Sequence, residues 1–132
     1  MTLLQTVRFV HFVAAATWVG GVIVLAPLVV ALRRAGADRE LIRAAARAFA
    51  RVGWVALAVA VVTGVAQVVI LPLPLAYVPL QRKIAAVTVA AVAAGVHQVL
   101  AARVSERGRR ALEVAVLATT LVVVAAAAGL RP

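Results

Sequence analysis

The chain has 132 residues, 66% of them hydrophobic and 14% charged, with a mean hydropathy of +1.12 and a net charge of +10. A soluble domain is nearer half apolar and a quarter charged, so the composition excludes an ordinary water-soluble fold. Cysteine is absent and Met1 is the only methionine, which excludes disulfides, thiolate metal sites and iron–sulfur clusters.

Four stretches lack any charged side chain: Phe9–Leu32, Val52–Gln81, Ile84–Ala102 and Val114–Leu130. A helix rises about 1.5 Å per residue and crosses a hydrocarbon core of roughly 30 Å in about 20 residues. The second stretch is too long for one crossing. Pro72, Pro74 and Pro79 divide it, because proline lacks the amide donor that a helix interior requires. Four spans are therefore predicted, at about 4–31, 52–71, 79–103 and 109–130. The first apolar run is far longer than the roughly 7–15 residues of a signal-peptide core and is read as a span. The expected fold is all-α, an integral membrane four-helix bundle in a single domain, with the lipid bilayer as its surroundings.

Span one contains Gly20, Gly21 and Pro27. Next comes "RRAGADRELIRAAARAFARVGW", in which Gly36 ends one helix and Asp38 caps the following one. Arg39, Arg43, Arg47 and Arg51 recur every fourth residue and make a basic stripe along a helical extension of span two. Leu41, Ile42 and Phe49 are expected elsewhere on the surface of that extension. Span two carries Gly53, Ala56, Ala60 and Gly64, a spacing that lets membrane helices approach closely. Gln67 is an amide in the outer part of the span and should face the bundle to find a partner, since lipid offers none. Tyr77, in the apolar loop "LPLPLAYVPLQRK", is an expected interfacial anchor. Span three is rich in alanine, and span four has Thr119 and Thr120 as its mid-span polar groups. Surfaces this rich in small residues suit a homo-oligomer or a place in a larger membrane complex.

The positive charge is distributed as a topology signal. Ten basic residues lie between spans one and two or between three and four, whereas Arg8, Arg82, Lys83 and Arg131 lie on the opposite side. Basic loops stay cytoplasmic, so both termini are expected on the non-cytoplasmic side, with contacts from the arginines to anionic lipid. No aromatic-interleaved basic surface points to nucleic acid.

Ionisable groups at membrane depth are costly and face a bundle interior or a functional path. The candidates are Arg8, His11, Lys83, His97 and Arg51. His97 lies 14 residues after Lys83, roughly 21 Å deeper along span three, so His11 and His97 are not expected at one depth as two ligands of one iron. His11 and Lys83 share the outer depth. Arg8 lies one turn before His11, Trp18 two turns after it on the same side, and Gln67 in the outer part of span two. An imidazole ligates iron or copper or carries a proton, and cations beside it hold carboxylates such as haem propionates. This set suits a b-type haem bound through His11, with Arg8, Lys83, Gln67 and Trp18 around it and the alanine face of span three admitting the porphyrin. Copper is the alternative, with His11 and His97 as metal ligands at opposite ends of a path. No catalytic residue stands out; any reaction would be a haem-linked oxidoreduction. Trp18 and Trp54 also serve as packing or interface aromatics, and His11 as a hydrogen bond between helices.

"RFVHFVAAATWVGGVIVL" resembles the first helix of the CopD-like membrane domain, a histidine followed by W-x-G-G. "ARAFARVGWVALAVAVVTGVAQ" resembles the second helix, with a basic entry and a T-G pair near mid-span, and "PLQRKIAAVTVAAVAAG" the third, which begins with a lysine. The resemblance covers about residues 5–100. It implies a four-helix domain linked to copper handling in the bacterial cytoplasmic (inner) membrane, and His11 and Lys83 as the matching histidine and lysine. The HemJ-type protoporphyrinogen oxidases, which associate with b-type haem, are similar at a greater distance. This chain has four spans where the copper permeases of that type have more, and "AAAAGLRP" lacks the polar C-terminal motif of the oxidases. Three functions follow as expectations: a haem-binding redox or tetrapyrrole-handling protein, a copper permease or its subunit, and an accessory subunit of a membrane complex.

Overall fold

The computed structural model describes residues 1–72, 74–100 and 103–128. They form four helices, α1 (Leu3–Arg34), α2 (Arg39–Ile70), α3 (Val78–Leu100) and α4 (Glu106–Ala128), with no strand among the described residues. The all-α expectation therefore holds. By length and composition α1, α2 and α3 are each able to cross a membrane. In α4 the first turns carry Arg107, Arg109, Arg110 and Glu113, leaving Val114–Ala128 as its apolar part, on the order of 22 Å of helix. Residues 101–102 of the third expected span, 129–130 of the fourth, and Arg131 lie outside the described residues. Phe12, Val69 and Leu3 are each 70% exposed or more, an apolar outer surface suited to contact with lipid.

The chain divides into two compact units, Met1–Leu73 and Pro74–Pro132, each a helical hairpin. In the first, Thr2 and Gln5 form a reciprocal capping box that starts α1: the Gln5 amide donates to Thr2 Oγ1 (3.3 Å) and the Thr2 amide to Gln5 Oε1 (2.7 Å). Helix α1 runs unbroken through Pro27 and ends where Gly36 takes φ +78°. The Ala37 amide then donates to the Leu32 carbonyl and the Gly36 amide to that of Arg33, which satisfies the last carbonyls of the helix. Asp38 caps α2 as expected, accepting from the Leu41 amide at 2.7 Å.

The basic stripe belongs to one continuous 32-residue helix with the apolar span. That continuity moves Phe49. Expected on the outer surface, it lies one turn before Gly53 on the face that meets α1, and its ring fills the space where a Cβ on Gly21 would be. Trp18 is buried, its Cδ1 lying 3.8 Å from where a Cβ on Gly53 would project. The interface is thus His11, Ala14, Trp18 and Gly21 on α1 against Gly53, Ala56, Leu57 and Ala60 on α2, with Phe49 laid across it. The small residues of α2 leave room for the rings of α1, as their four-residue spacing predicts.

In the second hairpin α3 buries Leu80 and Ala90, and α4 buries Val116 and Thr120. Thr120 is fully buried because its hydroxyl donates to the Val116 carbonyl of its own helix at 2.7 Å. Ser105 starts α4, its Oγ accepting from the Gly108 amide and its carbonyl from the Arg109 amide.

Candidate functional site

His11 stands in the third turn of α1, half-buried against α2. Its Nδ1 lies 2.8 Å from the main-chain carbonyl oxygen of Ala60 and 3.1 Å from Thr63 Oγ1. A carbonyl oxygen only accepts, so Nδ1 carries the proton and donates it. Thr63 fits that assignment. Its hydroxyl donates to the Val59 carbonyl at 2.6 Å, which turns an oxygen lone pair toward the ring. With Nδ1 as the donor, a neutral ring has its basic lone pair on Nε2. Gly64 faces the ring: a Cβ there would stand 3.4 Å from His11 Cε1, in ordinary contact.

The other candidates of the first hairpin surround this bond along the two helices. Arg8 is exposed, one turn before His11 on α1. Gln67 is half-buried and donates through Nε2 to the Thr63 carbonyl at 3.3 Å, so its partner is its own helix. Trp18 is buried in the hairpin interface. The imidazole, the Thr63 hydroxyl and the Gln67 amide form a polar run one turn apart along α2 within an otherwise apolar surface.

Lys83 and His97 belong to the second hairpin. Lys83 is half-buried in the second turn of α3. His97 lies 14 residues further along the same helix, roughly 21 Å away, so these two do not share a site within their helix. His97 is half-buried, and its Nε2 is enclosed without a hydrogen-bond partner among the described residues. Among those residues no group of three or more His, Cys, Asp or Glu side chains is placed to hold a metal ion.

Two participants carry no role in the sequence reading: the Ala60 carbonyl and the Thr63 hydroxyl. The available signal was the T-G pair, a small polar acceptor beside a residue without a side chain, seven residues after the buried alanine at position 56. Comparison of the chain with protein-family models, with curated proteins and with solved structures finds no match.

Proposed function

We propose that this chain is a membrane haem protein of the b type, with His11 as an axial ligand. The observation that carries the reading is the ring's anchoring: Nδ1 donates to a main-chain carbonyl of the neighbouring helix, and Thr63 accepts beside it. Metal-ligating histidines characteristically donate their other ring nitrogen in this way, which fixes the tautomer, aims the ring and raises the basicity of the ligating nitrogen. The donor chemistry at His11 therefore fits an iron porphyrin.

A bound haem would supply reversible one-electron transfer. The chain's own contribution is to hold the ligand and keep water away. His11 would ligate through Nε2, and the Ala60 carbonyl and Thr63 hydroxyl keep the ring from rotating about its side-chain bonds. Arg8 would supply a cation for the propionates, and Gln67 and Trp18 border the same stretch of the hairpin. The CopD-like resemblance supports a cofactor at this histidine. It also supports a bacterial cytoplasmic membrane location, with both termini outside and the arginine-rich segments inside.

The test is the visible spectrum of the protein purified in mild detergent, oxidised and reduced, with haem supplied during expression. A Soret band together with reduced α and β bands, lost or displaced in His11→Ala, is the expected result. Colourless protein that also fails to take up added haem would overturn the reading. It would leave copper handling, or an accessory place in a complex, as the function to pursue.

A further inference from the structure

The first hairpin has a second feature, which the polar site does not use. A groove of about 500 Å³ runs between α1 and α2. Val10, Val13 and Thr17 form one wall, Val52, Val55 and Val59 the other. Its floor is the buried pair Ala14 and Ala56, whose small side chains give it depth. Thr17 adds no polarity, because its hydroxyl donates to the Val13 carbonyl of its own helix at 2.8 Å. Val13 and Val55 are 50% and 65% exposed, so the groove is open along its length.

One end of the groove is different. Arg51 lines it there, one turn before Val55 on α2. Arg47, Arg43 and Arg39 follow at four-residue intervals toward the start of the helix, all exposed. Among the described residues no carboxylate pairs with any of these four arginines. From Arg51 to Val59 the helix rises about 12 Å, the length of roughly ten methylene groups. An apolar slot of that length, closed by a guanidinium at one end, has the chemistry of an acyl chain below a phosphate.

We propose that the α1–α2 groove is a binding site for one anionic glycerophospholipid, with an acyl chain along Val13 and Val55 and the phosphate on Arg51, supported by Arg47. Charge complementarity selects this occupant over a second copy of the chain. The sequence has fourteen basic residues and four acidic ones, and Asp38 is engaged as a helix cap. A helix of a second copy in the groove would cover Arg51 with little to neutralise it, and an unpaired charge at membrane depth is costly. A lipid phosphate neutralises it at the headgroup level and forms charge-assisted hydrogen bonds with the guanidinium.

Native mass spectrometry of the full chain, delipidated in detergent and titrated with phosphatidylglycerol or phosphatidylcholine of identical chains, tests the proposal. One phosphatidylglycerol is expected to be retained in preference to phosphatidylcholine. One cation near a membrane surface contributes on the order of 1 kcal/mol, so Arg51→Gln should weaken retention about fivefold while Arg34→Gln, outside the groove, leaves it unchanged. Val55→Trp, which fills the groove from an exposed position, should weaken both lipids. Equal retention of phosphatidylglycerol by the wild type, Arg51→Gln and Val55→Trp would overturn the proposal. So would disulfide cross-linking of Val55→Cys between two copies that phosphatidylglycerol does not suppress, since the occupant is then a second chain. Arg51→Gln keeps the proposal testable should Val55→Trp fail to fold, because Arg51 is exposed and packs nothing in the interface.

Discussion

The two hairpins use small residues for opposite purposes. In α1–α2 rings lie against three glycines: Phe49 occupies the Cβ space of Gly21, while Trp18 and His11 stand in ordinary contact range of Gly53 and Gly64. In α3–α4 the two positions with no exposed surface are themselves small, Ala90 and Thr120, flanked by the buried Leu80 and Val116, and the threonine hydroxyl returns to its own helix. The first interface is an interlock of rings and holes and contains a polar bond between helices. The second has its smallest side chains at its most enclosed positions. In lipid, where apolar surface gains little from leaving its solvent, packing and hydrogen bonding hold helices together. An interlock tolerates loss of a ring badly, and enclosed small positions tolerate gain of volume badly. The following substitutions separate the two.

Trp18→Ala should have the largest effect. It removes the largest buried side chain of the first interface and leaves a hole that Ala14 and Gly53 are too small to fill. Loss of a buried tryptophan costs about 3–5 kcal/mol in soluble cores, and the thermal midpoint in detergent should fall accordingly. A midpoint unchanged from the wild type would show that the interlock contributes little to stability. Ala90→Leu tests the second interface in the other direction. It adds volume at a position with no exposure, and overpacking of that kind costs about 1–3 kcal/mol. Gly21→Ala adds volume to the first interface, because the added methyl occupies the space of the Phe49 ring, which must rotate away. Its cost should be about 1–3 kcal/mol and should vanish in a Phe49→Ala background. Additive losses in that pair would mean that Gly21 serves something other than the ring.

A smaller effect separates the structural from the ligand role of His11. Interhelical hydrogen bonds in membrane proteins contribute about 0.6 kcal/mol on average and up to about 1.7. Thr63→Val should therefore lower stability by no more than about 1 kcal/mol, because the Ala60 carbonyl still accepts from Nδ1. If His11 ligates haem, the same substitution should also move the haem midpoint potential or absorption maxima, since it removes an acceptor from the ligand's far nitrogen. A purely structural histidine predicts the stability change alone.

What the sequence discloses and what it conceals follow from how each feature is encoded. Apolar runs divided by proline and charge mark four helices, and α1, α2 and α3 lie close to the expected spans. The caps at Gly36 and Asp38 are legible because left-handed φ and a first-turn acceptor each select a particular residue type. The α2 stripe of small residues is legible from its spacing. The partner of His11 is not, because it is a main-chain carbonyl, which every residue possesses and no side chain announces. Phe49 was concealed for a related reason. Its place among arginines suggests an exposed extension, yet helical phase carries it onto the Gly53 face. Gln67 was legible as a group needing a partner, but the partner found is its own helix rather than another.

Gly64 isolates the most delicate part of the comparison. A glycine in a helix costs up to about 1 kcal/mol relative to alanine, so its presence requires a compensating use. At Gly21 that use is steric, and alanine should displace the Phe49 ring. At Gly64 the added Cβ would meet His11 at 3.4 Å from Cε1 and 3.7 Å from Nδ1, which is ordinary contact. Gly64→Ala should therefore be neutral or slightly stabilising and leave the bond to Ala60 intact. Gly64→Leu, with three further carbon atoms on the face that the ring occupies, should push the imidazole off the carbonyl. The two variants together read the ring's clearance: amide exchange or nitrogen NMR shifts of His11 should match the wild type in the alanine variant and change in the leucine variant. If alanine already displaces the ring, the imidazole sits tighter against α2 than these distances allow. Gly64 then works as Gly21 does, and the distinction between a hole that is filled and a gap that gives passage is lost.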